Sequence, residues 1–279
     1  LKTENLQVTG SFKVRGAYYK ISQLSKEESD KGVIACSAGN HAQGVALAAT
    51  KNGIKSIICL PDGAPISKVE ATKRYGAEVC LVKGVYDDAY NKALELKDEK
   101  GLTFIHPFND PDVIAGQGTI GLEILNQLPN ADVVVVPIGG GGLIGGVAYT
   151  IKQLKPDCKV YGVQAAGAPS MEHSIADDKI ETLDSVNTIA DGTAVKTPGS
   201  NIFPYIKKNL DDIITVEDNE LIVAFLDMVE NHKMIVENSG LLTVAALKHL
   251  GVKDKRVVSI LSGGNMDVIT MSSVVQQGL

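Results

Sequence analysis

Short apolar runs rich in β-branched residues alternate with helix-forming segments along the chain. The strand candidates, in chain order, are VIAC, SIICLP, EVCLV, TFIHP, DVVVVP, KVYGVQ, DIITV and RVVSILS. The helix candidate YDDAYNKALELKDEK is followed by Gly101, and Ser25 to Glu28 has the sequence of a capping box. Apolar strands separated by helices are typical of a parallel sheet with helices on both faces. The sequence therefore predicts the α/β class.

The composition excludes several classes of protein. The chain has 279 residues, 44% of them hydrophobic, which is enough for a large buried core. Its formal charge is −6, with a pI of about 5.4 and no basic run, which argues against nucleic acid and anionic membrane as partners. No run approaches the ~20 apolar residues of a transmembrane helix, and no signal-peptide pattern is present. We therefore expect a cytoplasmic protein.

The cysteines and histidines do not form a metal-binding pattern. The four cysteines, at positions 36, 59, 80 and 158, include no CxxC pair, and three of them lie in strand candidates. The five histidines, at positions 41, 106, 173, 232 and 249, are scattered. We expect reduced, mostly buried thiols and no metal site.

Three strand candidates run into loops that contain glycine, and ligands bind beyond the carboxyl ends of strands in such sheets. After DVVVVPI come four consecutive glycines, residues 139–142, which open the helix candidate LIGGVAYTIKQL. Glycines there let several backbone N–H groups converge on a phosphate at a helix start. A tight turn with close packing would explain one or two glycines, so four in a row predict phosphate binding.

The same loop matches a second motif, which indicates a different ligand. Gly140, Gly142 and Gly145 satisfy the GxGxxG pattern of dinucleotide-binding folds. That pattern needs an acidic residue at the end of the next strand, where it binds the ribose hydroxyls. The next strand candidate ends at Gln164 and is followed by two alanines. The hypothesis of a nicotinamide-dependent dehydrogenase is thus supported by the glycines alone.

Two further strand ends carry polar residues. VIAC runs into SAGNHAQG at residues 37–44, where a hydroxyl, an amide side chain and backbone N–H groups at a helix start can hold a carboxylate. Ordinary helix capping would use the same residues. RVVSIL runs into SGGN, which begins at Ser262 and by itself indicates only a turn.

A lysine in the stretch VTGSFKVRGA has an unusual electrostatic position. Thr9, Gly10 and Ser11 are typical of a helix start, which places Lys13 in the first turn of an amphipathic helix. A cation there faces the positive end of the helix dipole, so either the side chain extends to solvent or its amine is used in the neutral form. A reactive lysine, a phosphate cradle and a carboxylate cradle together predict a pyridoxal-phosphate enzyme that acts on an amino acid.

Four motifs resemble those of the fold type II (tryptophan-synthase-β-like) pyridoxal-phosphate enzymes, and within them those of the threonine dehydratases. They are LKTENLQVTGSFKVRGA, SAGNHAQG, GGGGLIGG and SGGN, in the family's order and spacing. IADGTAVKTPG, at residues 189–199, also resembles the dehydratase branch. The resemblance covers nearly the whole chain.

This resemblance implies a two-domain architecture of mainly parallel twisted sheets with helices on both faces. Residues 1–30 and 109–279 would form a large cofactor-binding domain, and residues 31–108 a small domain. Family members have further residues before LKTENLQ, and some have a regulatory ACT domain after SGGN, so we expect this chain to be part of a longer product. The resemblance also implies a homodimer or homotetramer.

The resemblance also implies a role for each motif. Lys13 would carry the cofactor as a Schiff base and remove the substrate's Cα proton. The implied cofactor-binding residues are Phe12, Lys13, Asn40, Gly139, Gly140, Gly141, Gly142, Leu143 and Ser262. The implied substrate-binding residues are Ser37, Ala38, Gly39, Asn40 and His41. Asn40 would meet the ring hydroxyl, and Ser262 the ring nitrogen, where a neutral hydroxyl favours elimination of a β-leaving group.

The implied reaction converts L-threonine to 2-oxobutanoate and ammonia, with L-serine to pyruvate as a side activity. Its context would be isoleucine biosynthesis or threonine degradation. Serine racemase is an alternative, but it has a serine in place of Ala38, and Gln164 and Ser170 stand where its divalent-metal segment has carboxylates. Cysteine and threonine synthases typically have a threonine in place of His41. A ligand-sensing module without chemistry is a further alternative, although Lys13 and the cradles are intact.

Three other polar residues have two interpretations each. Glu237 in IVENSG is either an acid beside the cofactor or a solvated residue at a helix end. Asp191 in IADGT either belongs to the site or organises its own loop. His106, before Pro107, is either a catalyst or a strand-end histidine whose hydrogen bonds are satisfied.

Overall fold

A computed structural model of the protein describes residues 1–278. Within them, eight strands and twelve α-helices alternate along the chain. The strands are β1 (Val33–Cys36), β2 (Ser56–Pro61), β3 (Glu78–Val82), β4 (Thr103–Phe104), β5 (Val133–Pro137), β6 (Lys159–Ala165), β7 (Asp212–Val216) and β8 (Val257–Ser259). The helices are α1 (Lys13–Ser22), α2 (Lys26–Lys31), α3 (Asn40–Lys51), α4 (Ile66–Arg74), α5 (Tyr86–Lys100), α6 (Pro111–Gln127), α7 (Gly142–Leu154), α8 (Ser170–Ala176), α9 (Phe203–Asn209), α10 (Asp218–Glu230), α11 (Asn238–Ala245) and α12 (Val268–Gly278). None of these helices is both long enough and apolar enough to cross a lipid bilayer.

The strands form two four-stranded sheets in which every pair of neighbouring strands is parallel. The first sheet has the order β3-β2-β1-β4, and the second has the order β7-β6-β5-β8. The predicted α/β class with parallel sheets is confirmed. The interval 31–108 contains all strands of the first sheet, and its limits as a domain stay a prediction.

Both sheets are covered by helices on both faces, because most side chains of their central strands are apolar. All five residues of β5 are buried, with Val134 facing a core that includes α6, α7 and α9, and Val135 facing one that includes α10 and α11. In β1, Ala35 packs toward α3 and Ile34 toward α5. Each such aliphatic side chain contributes about 1.5–3 kcal/mol on burial, so these strands hold the layers together.

Two strands are shorter than their sequence runs predict. β4 leaves the sheet before His106, whose Nδ1 accepts the N–H groups of Phe108 (3.1 Å) and Asn109 (2.8 Å). β8 ends before the loop that carries Ser262. Phe108, which follows the first of these strand ends, and Ser262, in the second loop, line the cavity described below. The helix prediction for residues 86–100 and the capping box at Ser25 are confirmed.

The cysteines are free thiols, as predicted, and three of the four are buried. Cys36, Cys59 and Cys80 lie side by side in the ladder of β1, β2 and β3. Burial raises the pKa of Cys36 to about 11 and that of Cys59 to about 12, so both stay protonated near neutral pH. Within residues 1–278 there is no cluster of three or more side chains suited to a metal ion.

Candidate active site

One cavity lies where the glycine loop after β5, the start of α1 and the loop after β8 meet. Its walls include all nine of the predicted cofactor-binding residues: Phe12, Lys13, Asn40, Gly139, Gly140, Gly141, Gly142, Leu143 and Ser262. The remaining walls are formed by Phe108, Pro137, Gly192, Thr193, Val195, Glu237 and Ser239. Residues far apart in the sequence therefore share one enclosed space.

The amine of Lys13 lies inside this cavity. Lys13 is the first residue of α1, and its Nζ donates a hydrogen bond to the carbonyl oxygen of Pro107 (2.8 Å) and lies 5.3 Å from the centre of the Phe12 ring. Burial lowers the pKa of Lys13 to about 8, and the nearby Glu237 carboxyl limits that shift. The interpretation that this lysine extends to solvent is wrong. Near neutral pH a useful fraction of its amine is unprotonated, which is the form that acts as nucleophile and base.

The glycine loop joins β5 to α7 and is tightly packed. A Cβ atom on Gly140 would lie 2.4 Å from Cδ2 of Phe108, one on Gly142 would lie 2.9 Å from Cα of Phe108, and Gly141 has a φ of +102°. Close packing or a positive φ therefore explains three of the four glycines, Gly140, Gly141 and Gly142, whereas the sequence analysis attributed only one or two to such causes. Within residues 1–278, the N–H groups of Gly141, Gly142 and Leu143 have no hydrogen-bond acceptor. Free N–H groups at the start of a helix form a binding site for an anion.

The loop at residues 37–41 is held from its two ends. Ser37 Oγ accepts the N–H of Gly39 (3.1 Å), and α3 begins at Asn40. The side chain of Asn40 donates to Glu237 Oε1 (2.7 Å) and accepts from Asn265 Nδ2 (2.8 Å). Two residues of the second sheet's layers thereby fix the first residue of a helix that packs on the first sheet. Of the predicted substrate-binding residues, Asn40 alone lines the cavity.

The side chain of His41 is engaged elsewhere. Its Nε2 lies 2.8 Å from the carbonyl oxygen of Ile105, and because a carbonyl can only accept, Nε2 carries the proton. Burial, with a smaller effect of the Lys13 charge, lowers the pKa of His41 to about 3. The ring is therefore neutral, and it anchors the loop to the strand end rather than presenting a cation.

The structure decides between the two interpretations of three polar residues. Glu237 is partly buried beside Asn40, and burial together with the charge of Asp191 raises its pKa to about 7. Asp191 is exposed and accepts the N–H of Gly192 (2.9 Å), which organises its own turn. His106 accepts two backbone N–H groups, and burial lowers its pKa to about 4. His106 is thus a satisfied strand-end histidine.

Several wall residues were not predicted from the sequence. The acceptor for Lys13 is the backbone carbonyl of Pro107, which no side-chain pattern can reveal. Thr193 and Ser239 lie in the wall with their hydroxyl oxygens 3.4 Å apart. The IADGT motif, which contains Thr193, was the one available signal for this wall.

Comparisons with known proteins agree with this geometry. A sequence model of the family described as pyridoxal-phosphate dependent enzymes matches residues 1–263. L-threonine ammonia-lyase of Thermotoga maritima is 50% identical over 280 residues, covering 100% of this chain and 70% of the relative.

Two solved structures extend the comparison to the fold. The processed form of threonine deaminase isoform 2 from Solanum lycopersicum superimposes with a TM-score of 0.96 at 41% identity, covering 99% of this chain and 81% of the other. Maize serine racemase superimposes with a TM-score of 0.91 at 37% identity, covering 98% and 85%. The predicted fold type II architecture is therefore confirmed.

The cavity is chemically suited to pyridoxal phosphate. A partly neutral amine can bond to the aldehyde, and the free N–H groups of Gly141, Gly142 and Leu143 can bind a phosphate. Phe12 provides an apolar face, and the hydroxyl of Ser262 provides a neutral polar group in the wall. With this fit and a match over residues 1–263, the chain belongs to the family of pyridoxal-phosphate dependent enzymes.

Proposed function

We propose that this protein is a threonine dehydratase, which converts L-threonine to 2-oxobutanoate and ammonia and acts on L-serine in the same way to give pyruvate. The observation that carries the proposal is the Lys13 amine, whose pKa is lowered to about 8 in a cavity that also holds free N–H groups at a helix start. Relatives named for threonine deamination match essentially the whole chain, which supports the choice of substrate.

Lys13 is proposed to have two tasks. Its amine would hold the cofactor covalently, and in its free, neutral form it would take the proton from the substrate Cα. Bound pyridoxal phosphate supplies an electron-withdrawing ring that makes this proton acidic. The hydrogen bond from Lys13 Nζ to Pro107 aims the amine into the cavity, so a short movement suffices for either task.

The other walls are proposed to bind and orient. The N–H groups of the glycine loop bind the phosphate, Asn40 binds the ring hydroxyl, and Ser262 meets the ring nitrogen with a neutral hydroxyl. Because a serine cannot stabilise a positive charge on the ring as a carboxylate does, loss of the substrate's β-hydroxyl is favoured over reprotonation at Cα.

The substrate carboxylate is proposed to bind at the start of α3. Ser37 and the N–H groups of residues 38, 40 and 41 suit a carboxylate, and the positive end of a helix of 12 residues adds to the attraction. The side chain of His41 holds this loop in place through Ile105 and stays neutral. We propose that the first-sheet layers move toward the cavity when substrate binds, which brings the loop to its carboxylate and excludes water.

Serine racemase activity is the second candidate, because maize serine racemase shares the fold at 37% identity. Ala38 has no group that can transfer a proton to the opposite face of Cα. Gln164 is buried as a neutral amide, and its Oε1 accepts the N–H groups of Met171 (3.1 Å) and Glu172 (2.9 Å). Both features favour the dehydratase.

We further propose that the protein is cytoplasmic and forms a homodimer or homotetramer. Gel filtration with light scattering measures the number of subunits.

The decisive experiment replaces Lys13. The purified protein with pyridoxal phosphate should show the visible absorbance of lysine-bound cofactor and should accumulate 2-oxo acid when L-threonine is added. Lys13→Ala should lose both, whereas the matched control Lys26→Ala, at an exposed position on α2, should keep both. Circular dichroism checks that each variant is folded. Retained turnover in folded Lys13→Ala contradicts the proposal.

A further inference from the structure

A second, polar cavity lies next to the first. Its lining includes Lys68, Asp191, Glu237, Asn265 and Asp267. Glu237 lines both cavities, so its side chain is part of the wall that they share. The second cavity is therefore a neighbour of the space that holds the Lys13 amine.

Two opposite charges face each other across this second cavity. Lys68 projects from α4, and Asp191 lies in the turn whose next residues, Gly192 and Thr193, line the first cavity. Lys68 Nζ and Asp191 Oδ2 are 4.0 Å apart, at the outer limit of an ion pair, and the side chains are 30% and 77% exposed. Such a pair is worth little by itself, because water competes for both groups. The Lys68 amine and Asp191 Oδ2 thus remain available to a ligand, while Asp191 Oδ1 accepts the N–H of Gly192.

The carboxylate of Asp267, a further charged group in this lining, is already engaged in hydrogen bonds. Both carboxylate oxygens of Asp267 accept hydrogen bonds from Thr270, one from its N–H and one from its hydroxyl, each at 2.8 Å. Asp267 therefore holds the start of α12 rather than offering a free oxygen. The loosely paired charges of the second cavity are those of Lys68 and Asp191.

The polarity of this pair matches the polarity of the proposed site. Lys68 belongs to α4, which packs with α3, whose start we propose to bind the substrate carboxylate. Asp191 belongs to the layers of the second sheet, which also carry Glu237 and the turn at Gly192. An amino acid with its carboxylate toward Lys68 and its ammonium toward Asp191 would point its carboxylate toward the layers that carry the start of α3.

We propose that the second cavity is an access vestibule for the amino-acid substrate, in which Lys68 and Asp191 orient the zwitterion before it passes Glu237. This inference rests on the proposed function, since it assumes a zwitterionic substrate and a carboxylate site at the start of α3. Lys68 and Asp191 are positioning residues and take no part in the chemistry.

The test measures kcat and KM of the cofactor-loaded enzyme for L-threonine in Lys68→Gln, Asp191→Asn and the charge-exchanged double variant Lys68→Asp/Asp191→Lys. Each single variant should raise KM about fivefold while kcat changes less than about twofold, because a surface charge contributes up to about that factor. The control Lys73→Gln, an exposed lysine of the same helix, should change neither. Added salt should raise the KM of the wild type and leave the KM of the single variants nearly unchanged.

The double variant separates orientation from simple ion pairing. A pair that only holds the two layers together works with either polarity, so exchange of the charges would restore KM. A pair that orients a zwitterion presents the wrong polarity after exchange, so KM should stay raised. An unchanged KM in the single variants, a fall confined to kcat, or a restored KM in the double variant overturns the inference. Absence of 2-oxo acid with the wild type instead overturns the proposed function.

Discussion

Two helix starts meet at the cavity, and they are built in opposite ways. At the start of α7, packing leaves no room for a side chain, since a Cβ on Gly140 would lie 2.4 Å from Phe108 and one on Gly142 would lie 2.9 Å from the same residue. At the start of α3, a Cβ on Gly39 would have no heavy atom within 4 Å. One start is rigid by packing, and the other is bordered by open space.

This difference fits the two ligands that the site must handle. A cofactor that stays bound through every turnover suits a loop that cannot move, because preorganised N–H groups need no rearrangement. A substrate that enters and leaves suits a loop bordered by space and tied to the rest of the molecule by side-chain hydrogen bonds. Asn40, through Glu237 and Asn265, provides these bonds. The two helix starts are therefore consistent with the proposed function, in which one binds a permanent ligand and the other an exchanging one.

The largest expected effect is the difference in stability between two variants, each of which adds one methyl group at one of the two helix starts. Gly140→Ala should lower the free energy of unfolding by about 1–3 kcal/mol and weaken cofactor binding, because the methyl overlaps the Phe108 ring. Gly39→Ala should change that free energy by less than about 0.5 kcal/mol and should raise KM for L-threonine. Urea unfolding, cofactor titration and steady-state kinetics measure these effects. Equal destabilisation by both substitutions would remove the contrast between the two starts.

A smaller effect is expected at Glu237, which links the two regions. Its pKa of about 7 in the folded protein exceeds the ordinary 4.5, so the folded state holds this proton more tightly than the unfolded chain does. The cofactor-free wild type should therefore lose stability relative to Glu237→Gln as pH rises from about 4.5 to about 7, by about 1–2 kcal/mol because water partly reaches the carboxyl. Glutamine keeps an oxygen for Asn40, which isolates the effect of ionisation.

Urea unfolding of both proteins at several pH values gives this difference directly. A difference that does not vary with pH between 4.5 and 7 would mean that the carboxyl of Glu237 ionises as it does in water. The contact between Glu237 and Asn40 would then be a surface hydrogen bond, and the link between the two regions would be weaker than the structure indicates.

The smallest expected effect is that of Ala38→Ser, in the more open loop. The position is half-buried against the core of the first sheet, so a hydroxyl, which is small, should change dehydration of L-serine by less than about threefold. It also places a group that can transfer protons near the loop, and D-serine should form more slowly than pyruvate. Chiral chromatography measures D-serine, and an assay for 2-oxo acid measures pyruvate. Formation of D-serine by the wild type itself would instead favour the hypothesis that the protein is a serine racemase.

The local features of the chain follow from its sequence. The apolar runs of β1, β2 and β5, the helix at residues 86–100 and the capping box at Ser25 depend on neighbouring residues, and all are found as predicted. The two failures, β4 and β8, are strands that are shorter than predicted because the chain leaves the sheet before Phe108 and Ser262, which line the cavity. Local patterns do not contain that information.

For the candidate site, the sequence by itself determined which residues are the candidates for the chemistry, since a lysine, a glycine run and two polar loops at strand ends each have a recognisable pattern. The tertiary structure alone decided their state. Burial makes the Lys13 amine partly neutral, holds the proton of Glu237 up to about pH 7 and turns His41 toward Ile105. The tertiary structure also places the carbonyl oxygen of Pro107 beside the amine of Lys13. Protonation depends on desolvation and on charges far apart in the chain, and these exist only once the two sheets have come together.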